Sequence, residues 1–172
     1  MNSSFNYKYL VHWLIYIAVQ VLVLNGVDYL QMATPFLFIL FLINLPADMA
    51  RIPFLLTAFV TGLVVDVFSS TAGIHCTACV FIAYLKPLFC KALGPSDALT
   101  LTPSFRSFGQ SRYLQYALSM VAIHHALFFF MENGSTNMLL SVLFRVVQSI
   151  IFTMLLVFSV EYFKYRHSSN EN

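Results

Sequence analysis

The stretch TGLVVDVFSSTAGIHCTACVFIAYL, Thr61 to Leu85, decides the fold. Two apolar runs flank the small-residue turn Ser69-Ser70-Thr71-Ala72-Gly73, and Asp66 stands inside the first run, behind Gly62-Leu63-Val64-Val65. A carboxylate there reaches water at little cost in a soluble domain and is expensive in a bilayer. The class of the whole chain therefore determines what Asp66 does. Of the 172 residues, 59% are hydrophobic and 9% are charged, against roughly 25% charged in an ordinary globular chain. Mean hydropathy is +0.78. Too few charges are present to coat a soluble surface, and the composition predicts an integral membrane protein. The net charge of +2, with no Lys/Arg cluster, offers no footprint for nucleic acid.

Outward from that stretch, apolar runs predict one membrane domain over 1–172, with spans at about 9–24, 30–46, 52–68, 72–93, 113–131 and 138–163. The fold class expected is an all-α integral membrane protein, a six-transmembrane-helix bundle. Pro35 to Leu45 alone, at about 1.5 Å per residue, falls well short of a bilayer core of about 30 Å. It either borrows Tyr29 to Thr34 with Pro35 as a kink, or forms a partial span shielded by its neighbours. The one long connection, 94–112, is rich in Pro, Gly, Ser and Thr and reads as irregular.

Basic residues set the expected orientation, because cytoplasmic connections carry the Lys and Arg excess. With both termini inside, Lys8, Arg51, Lys86, Lys91, Arg106, Arg112, Lys164 and Arg166 fall at or near cytoplasmic ends. The outer connections, Asn25 to Thr34, Ser69 to Gly73 and Glu132 to Asn137, contain no Lys or Arg. Arg145, well inside the last span, is the exception. Tyr7, Tyr9 and Trp13 at the first inner interface and Tyr162, Phe163 and Tyr165 at the last fit an aromatic belt. The first span lacks a small-residue cleavage site after Leu24 and is expected to be retained rather than removed as a signal peptide.

Chemistry-bearing residues are few. His75-Cys76-Thr77-Ala78-Cys79 has the outline of a metal or redox motif, but a structural site wants four ligands and no second pair answers it. The cysteines read as small apolar side chains. His124 and His125 are adjacent and point about 100° apart on a helix, which suits a polar lining or an interhelical hydrogen bond better than one shared ion or a proton relay. Ser69, Ser70 and Thr71 sit where hydroxyls bond nearby backbone. No nucleophile with a paired base stands out, and no Gly-rich phosphate loop is present. No catalytic residue, metal or cofactor is expected.

Gly62-x-x-x-Asp66, the turn Ser69 to Gly73 and the following Ala83-Tyr84-Leu85 resemble the core of the MreD family of small bacterial inner-membrane proteins needed for rod shape. Pro35, Leu45-Pro46 and the segment around them are similar too. The resemblance is close over Thr61 to Leu85 and loose elsewhere; the long loop 94–112 and the His124-His125 pair depart from the family pattern. It implies a non-enzymatic scaffold in the cell-elongation and peptidoglycan-synthesis machinery, beside an MreC-like membrane protein, the MreB filament, and RodA with its partner transpeptidase. It also implies a six-helix fold like that of the substrate-binding subunits of energy-coupling-factor vitamin transporters. Solute binding is therefore the alternative function. The short outer connections, too small for a lid over a pocket, favour the scaffold.

In either case Asp66 and Arg145 both fall in the outer half of the membrane, where an ionised side chain facing lipid is costly. Pairing relieves both. The expectation is that the helix carrying Asp66 packs beside the one carrying Arg145, with Gly62 one turn below permitting close approach of a backbone. The competing possibility is that Asp66 caps the turn at Ser69 to Gly73 through backbone N–H groups while Arg145 snorkels outward. Gly62, Asp66, Gly73, Arg145, His124 and His125 are the candidate structural or partner-binding residues.

Overall fold

Apolar runs of this length fold as helices because only a helix satisfies its own backbone in hydrocarbon. The computed structural model describes residues 7–25, 33–133 and 139–169. Parts of two connections read as outer, residues 26–32 and 134–138, lie outside the described residues. The elements are α1 (Tyr7–Val19), continued by a π-helical turn (Gln20–Leu24), α2 (Ile39–Ile43), α3 (Arg51–Ser69), α4 (Ile74–Leu93), a 3₁₀ turn (Ala98–Thr100), α5 (Phe105–Phe108), α6 (Gln110–Asn133) and α7 (Leu139–Ser169). No strand occurs among the described residues. Among the described residues four helices, α3, α4, α6 and α7, are long and apolar enough to cross a membrane, and Tyr9–Leu24 is a shorter apolar helix.

The chain packs largely in sequence order, α3 on α4, α4 on α6 and α6 on α7. Trp13 Nε1 on α1 donates to Thr61 Oγ1 on α3 at 2.9 Å. α3 ends where Ser70 takes a left-handed conformation (φ +56°) and its N–H bonds the Asp66 carbonyl. Four residues later α4 has begun, entered through Gly73 at φ +82°, a conformation that glycine adopts without strain. The bundle thus has a turn end, at residues 70–73, and a loop end, at residues 94–109.

The second apolar run corrects the expectation of a span over 30–46. Its described part is not one continuous helix: residues 33–36 are non-helical, a turn follows, and only Ile39–Ile43 is α-helical. Residues 33–43 are all buried, and Phe38, Ile39, Leu40 and Ile43 have no exposure at all. This is the shielded partial span, and it forms the centre of the bundle. Irregular backbone at such depth survives only when protein groups satisfy it. Here polar side chains from flanking helices do so: Thr34 N–H donates to Ser149 Oγ (2.9 Å), Phe36 N–H to Thr153 Oγ1 (3.0 Å) and Leu37 N–H to Gln20 Oε1 (2.8 Å). Gln20 Nε2 returns a bond to the Pro35 carbonyl at 3.2 Å. Because lipid tails are as apolar as leucine, close packing and these hydrogen bonds, rather than escape from water, hold the segment in place.

The 94–112 connection is also more ordered than its composition suggests. Its 3₁₀ turn and α5 lay Ala98, Phe105 and Phe108 into the core, with Phe105 edge-on to Tyr113 (5.3 Å between centroids) and Phe108 beside Tyr116 (5.6 Å). Ser104 starts α5 by accepting from the Ser107 N–H. Arg112 belongs to α6, not to the loop.

Candidate functional site

Asp66 comes from the last turns of α3, and α4 begins directly beside it. Its Oδ1 accepts from the His75 N–H and from His75 Nδ1, both at 3.1 Å, and from the Thr71 hydroxyl; its Oδ2 accepts from the Cys76 N–H at 2.9 Å. His75 and Cys76 lie in the first turn of α4, whose N–H groups have no partner within the helix. A carboxylate from one helix therefore caps the next, with the favourable sign toward the helix dipole. Gly62, one turn below, makes this possible: a Cβ there would stand 2.4 Å from Cys76 Cα and 2.8 Å from the His75 carbonyl oxygen. The close backbone approach expected at Gly62 is present, but the backbone is that of α4.

The expected Asp66–Arg145 pair is not formed. Arg145 Nη1 lies 3.5 Å from Glu132 Oε2 on α6, with its guanidinium 5.0 Å from the centre of the Phe129 ring, and about a third of the side chain is exposed (31%). The reason lies in packing order: α3 pairs with α4 and α7 with α6, so each charge meets the neighbour its own helix supplies. The capping alternative comes nearer. The backbone groups capped belong to His75 and Cys76 rather than to the turn, which contributes the Thr71 hydroxyl.

His124 and His125 diverge as their adjacency requires. His125 Nδ1 donates to the Val121 carbonyl (2.9 Å), so its Nε2 is the acceptor for the Thr153 hydroxyl (3.1 Å), the same hydroxyl that receives the Phe36 N–H. His125 thus links α6 to α7 and to the central segment. His124 Nε2 lies 3.8 Å from Cys79 Sγ. Sequence reading missed His75 as a partner for Asp66. Its ring sits 4.4 Å from Phe128 and 5.1 Å from Phe36, centre to centre, and 6.4 Å from His124. Neither His75 Nε2 nor His124 Nδ1 has a hydrogen-bond partner among the described residues. No group of three or more His, Cys, Asp or Glu among them is arranged to hold a metal ion, and all three cysteines are free and buried.

Two further buried charges escaped the sequence reading. Lys86, expected at or near an inner helix end, is 2% exposed; its Nζ donates to the Leu42 carbonyl (3.1 Å) and the Leu45 carbonyl and lies 4.8 Å from the Phe54 ring centre. It caps the C-terminal end of α2, where carbonyls lack helix partners and a cation is favoured. Glu161 on α7, also 2% exposed, accepts on Oε1 from Asn44 Nδ2 (2.7 Å) and from Lys164 Nζ (3.1 Å). Tyr113 OH donates to Asn44 Oδ1 (2.6 Å), and Tyr116 OH to the Ile43 carbonyl (3.0 Å). The available signal was position: Lys86 and Glu161 both stand within predicted spans.

Each buried ionisable group with a carboxylate or amine is therefore spent on backbone ends or on residues next to them. Asp66 locks the start of α4, and Lys86 and the Glu161–Asn44–Tyr113 chain lock the end of the central segment. Compared with family models, curated proteins and solved structures, the chain matches none.

Proposed function

We propose that this chain is a non-enzymatic scaffold of the bacterial cell-elongation machinery, a multi-pass protein of the inner membrane with both termini in the cytoplasm. The observation that carries the reading is the use made of Gly62-x-x-x-Asp66. The segment that bears the MreD resemblance is a structural clamp, in which glycine admits the α4 backbone and the aspartate caps it. A rigid clamp at the turn end keeps the helix pair fixed while leaving an outward stripe of apolar side chains on α3, Leu56, Phe59, Val60, Leu63 and Val67, for lipid or another membrane helix. The partners proposed are an MreC-like protein, RodA with its transpeptidase and, directly or through these, the MreB filament.

The solute-binding alternative is less well supported. Residues 33–43 occupy the bundle centre with side chains that are buried throughout, where a transporter subunit would want a chamber. The test is depletion in a rod-shaped host that makes this chain. Scaffold function predicts rounding of the cells within a few generations, rescued by wild-type protein; normal rods after verified depletion would contradict it.

A further inference from the structure

A cavity of about 720 Å³ opens at the loop end of the bundle, within the roughly 300–1,000 Å³ typical of ligand sites. Its sides come from the first half of α1, the end of α2, the strip at residues 102–106 and the last part of α7. Three of the residues lining it are tied together. Glu161, 2% exposed, accepts on Oε1 from Asn44 Nδ2 (2.7 Å) and from Lys164 Nζ (3.1 Å), and Asn44 is fixed in turn by the Tyr113 hydroxyl. No described residue bonds Glu161 Oε2, so that oxygen remains to accept from an occupant. An ammonium has three donors. Lys164 is 44% exposed, and Glu161 and Tyr16, whose ring centre lies 5.8 Å from Nζ, engage at most two of the three. Arg106 and His12 also border the cavity, but each has an interaction of its own, and the site is built without them.

The Glu161 carboxylate and the Lys164 ammonium, 3.1 Å apart, offset each other, so this pair gives no advantage to a charged occupant. What it selects is a neutral group that donates to Glu161 Oε2 and, at a neighbouring atom, accepts from Lys164 Nζ. A hydroxyl is donor and acceptor at once, and a ring of hydroxyls presents both at adjacent positions. Tyr9, Tyr16 and Tyr165 supply aromatic wall, against which the C–H face of such a ring packs as apolar surface. We propose that the cavity binds a sugar, with its hydroxyls on Glu161 and Lys164 and its ring against the tyrosines. Hydrogen bonds to charged groups held in fixed positions give the site its preference for that head. α1 also carries the exposed apolar residues Leu10 and Leu14, so a free sugar and a sugar-headed lipid both offer the required chemistry. The site lies outside the turn-end clamp, and it stands whether or not the scaffold reading holds.

The experiment uses the full chain purified in a polyoxyethylene detergent, which carries no sugar, with bound ligand measured by native mass spectrometry. The probes are octyl glucoside, octylphosphocholine as the same tail on a zwitterionic head, and methyl glucoside as the head without the tail. Octyl glucoside is expected to be retained over octylphosphocholine by about tenfold or more, the worth of one hydrogen bond to a charged group. Lys164→Met removes the ammonium donor and is expected to lower octyl glucoside retention by about the same factor. Tyr165 is 44% exposed, so Tyr165→Ala is expected to lower retention by about two- to tenfold with an unchanged melting temperature in the absence of sugar, and Tyr165→Phe to restore it. Tyr162→Ala, outside the cavity lining, is expected to leave retention unchanged. Methyl glucoside competing with octyl glucoside at equal concentration supports the site with a free sugar as its ligand; octyl glucoside held without such competition supports it with a sugar-headed lipid. Octylphosphocholine retained as well as octyl glucoside, or octyl glucoside undiminished in a folded Tyr165→Ala or Lys164→Met, would overturn the proposal.

Discussion

Removing the Asp66 carboxylate tests the clamp. Asp66→Ala deletes four hydrogen bonds at once and leaves the His75 and Cys76 N–H groups buried beside α3 with no acceptor. A hydrogen bond to a charged group is worth about 1.5–3 kcal/mol, and an orphaned buried donor costs about 1–3 kcal/mol. These contributions overlap, since they describe the same broken contacts, so the expected loss is about 3–5 kcal/mol, large for a single substitution. Asp66→Asn keeps one carbonyl oxygen, which at the Oδ1 position serves the His75 N–H, but turns an NH₂ toward the Cys76 N–H, and about 1–2 kcal/mol is expected. Arg145→Gln breaks a part-exposed pair and should cost no more than about 1 kcal/mol. The assay is reversible unfolding in mixed micelles of SDS and dodecyl maltoside, followed by the fluorescence of Trp13. A loss under about 1 kcal/mol for Asp66→Ala would refute the capping geometry, because four hydrogen bonds to one buried carboxylate are worth more than that together. Recovery of stability in the exchanged pair Asp66→Arg with Arg145→Asp would restore the ion pair that the packing order rules out.

Gly62→Ala should destabilise by at least about 2 kcal/mol in the same assay, because its Cβ meets backbone rather than a movable side chain. Gly73→Ala should lose only about 1 kcal/mol, from the positive φ alone, since open space surrounds it. Lys86→Met keeps the stem and removes the donor to the Leu42 and Leu45 carbonyls; a loss of about 2–4 kcal/mol is expected, with faster proteolysis near residues 44–50. Thr153→Val should cost about 1–3 kcal/mol by orphaning both the Phe36 N–H and His125 Nε2, whereas Ser159→Ala, on an exposed hydroxyl, should be silent within about 0.5 kcal/mol.

The long helices were legible because a run of about 20 apolar residues has only one solution in a bilayer. So was the close approach of a backbone at Gly62, since a small residue and a carboxylate one turn apart ask for a close neighbour. The neighbour itself was not. Electrostatic reasoning sought a cation for Asp66 and found Arg145, whereas two of the four actual partners are main-chain N–H groups nine and ten residues on, which no side-chain pattern displays. The central segment was hidden for a related reason. Its helix–coil boundary at Phe38 is set by Gln20, Ser149 and Thr153, polar residues that look like isolated blemishes in apolar runs until the fold brings them to one backbone. Lys86 was concealed by charge counting, which credits any basic residue near a span's end to the loop beyond it, and Glu161 because that count weighs only basic residues.

The scaffold reading is tested most directly by affinity purification of the tagged full-length chain from native membranes in mild detergent, with mass spectrometry of the proteins and small molecules retained. Enrichment of an MreC-like protein together with a RodA-like glycosyltransferase, dependent on a folded clamp and lost in Gly62→Leu, is the predicted result. A stoichiometric small solute with neither protein present would contradict it and favour solute binding.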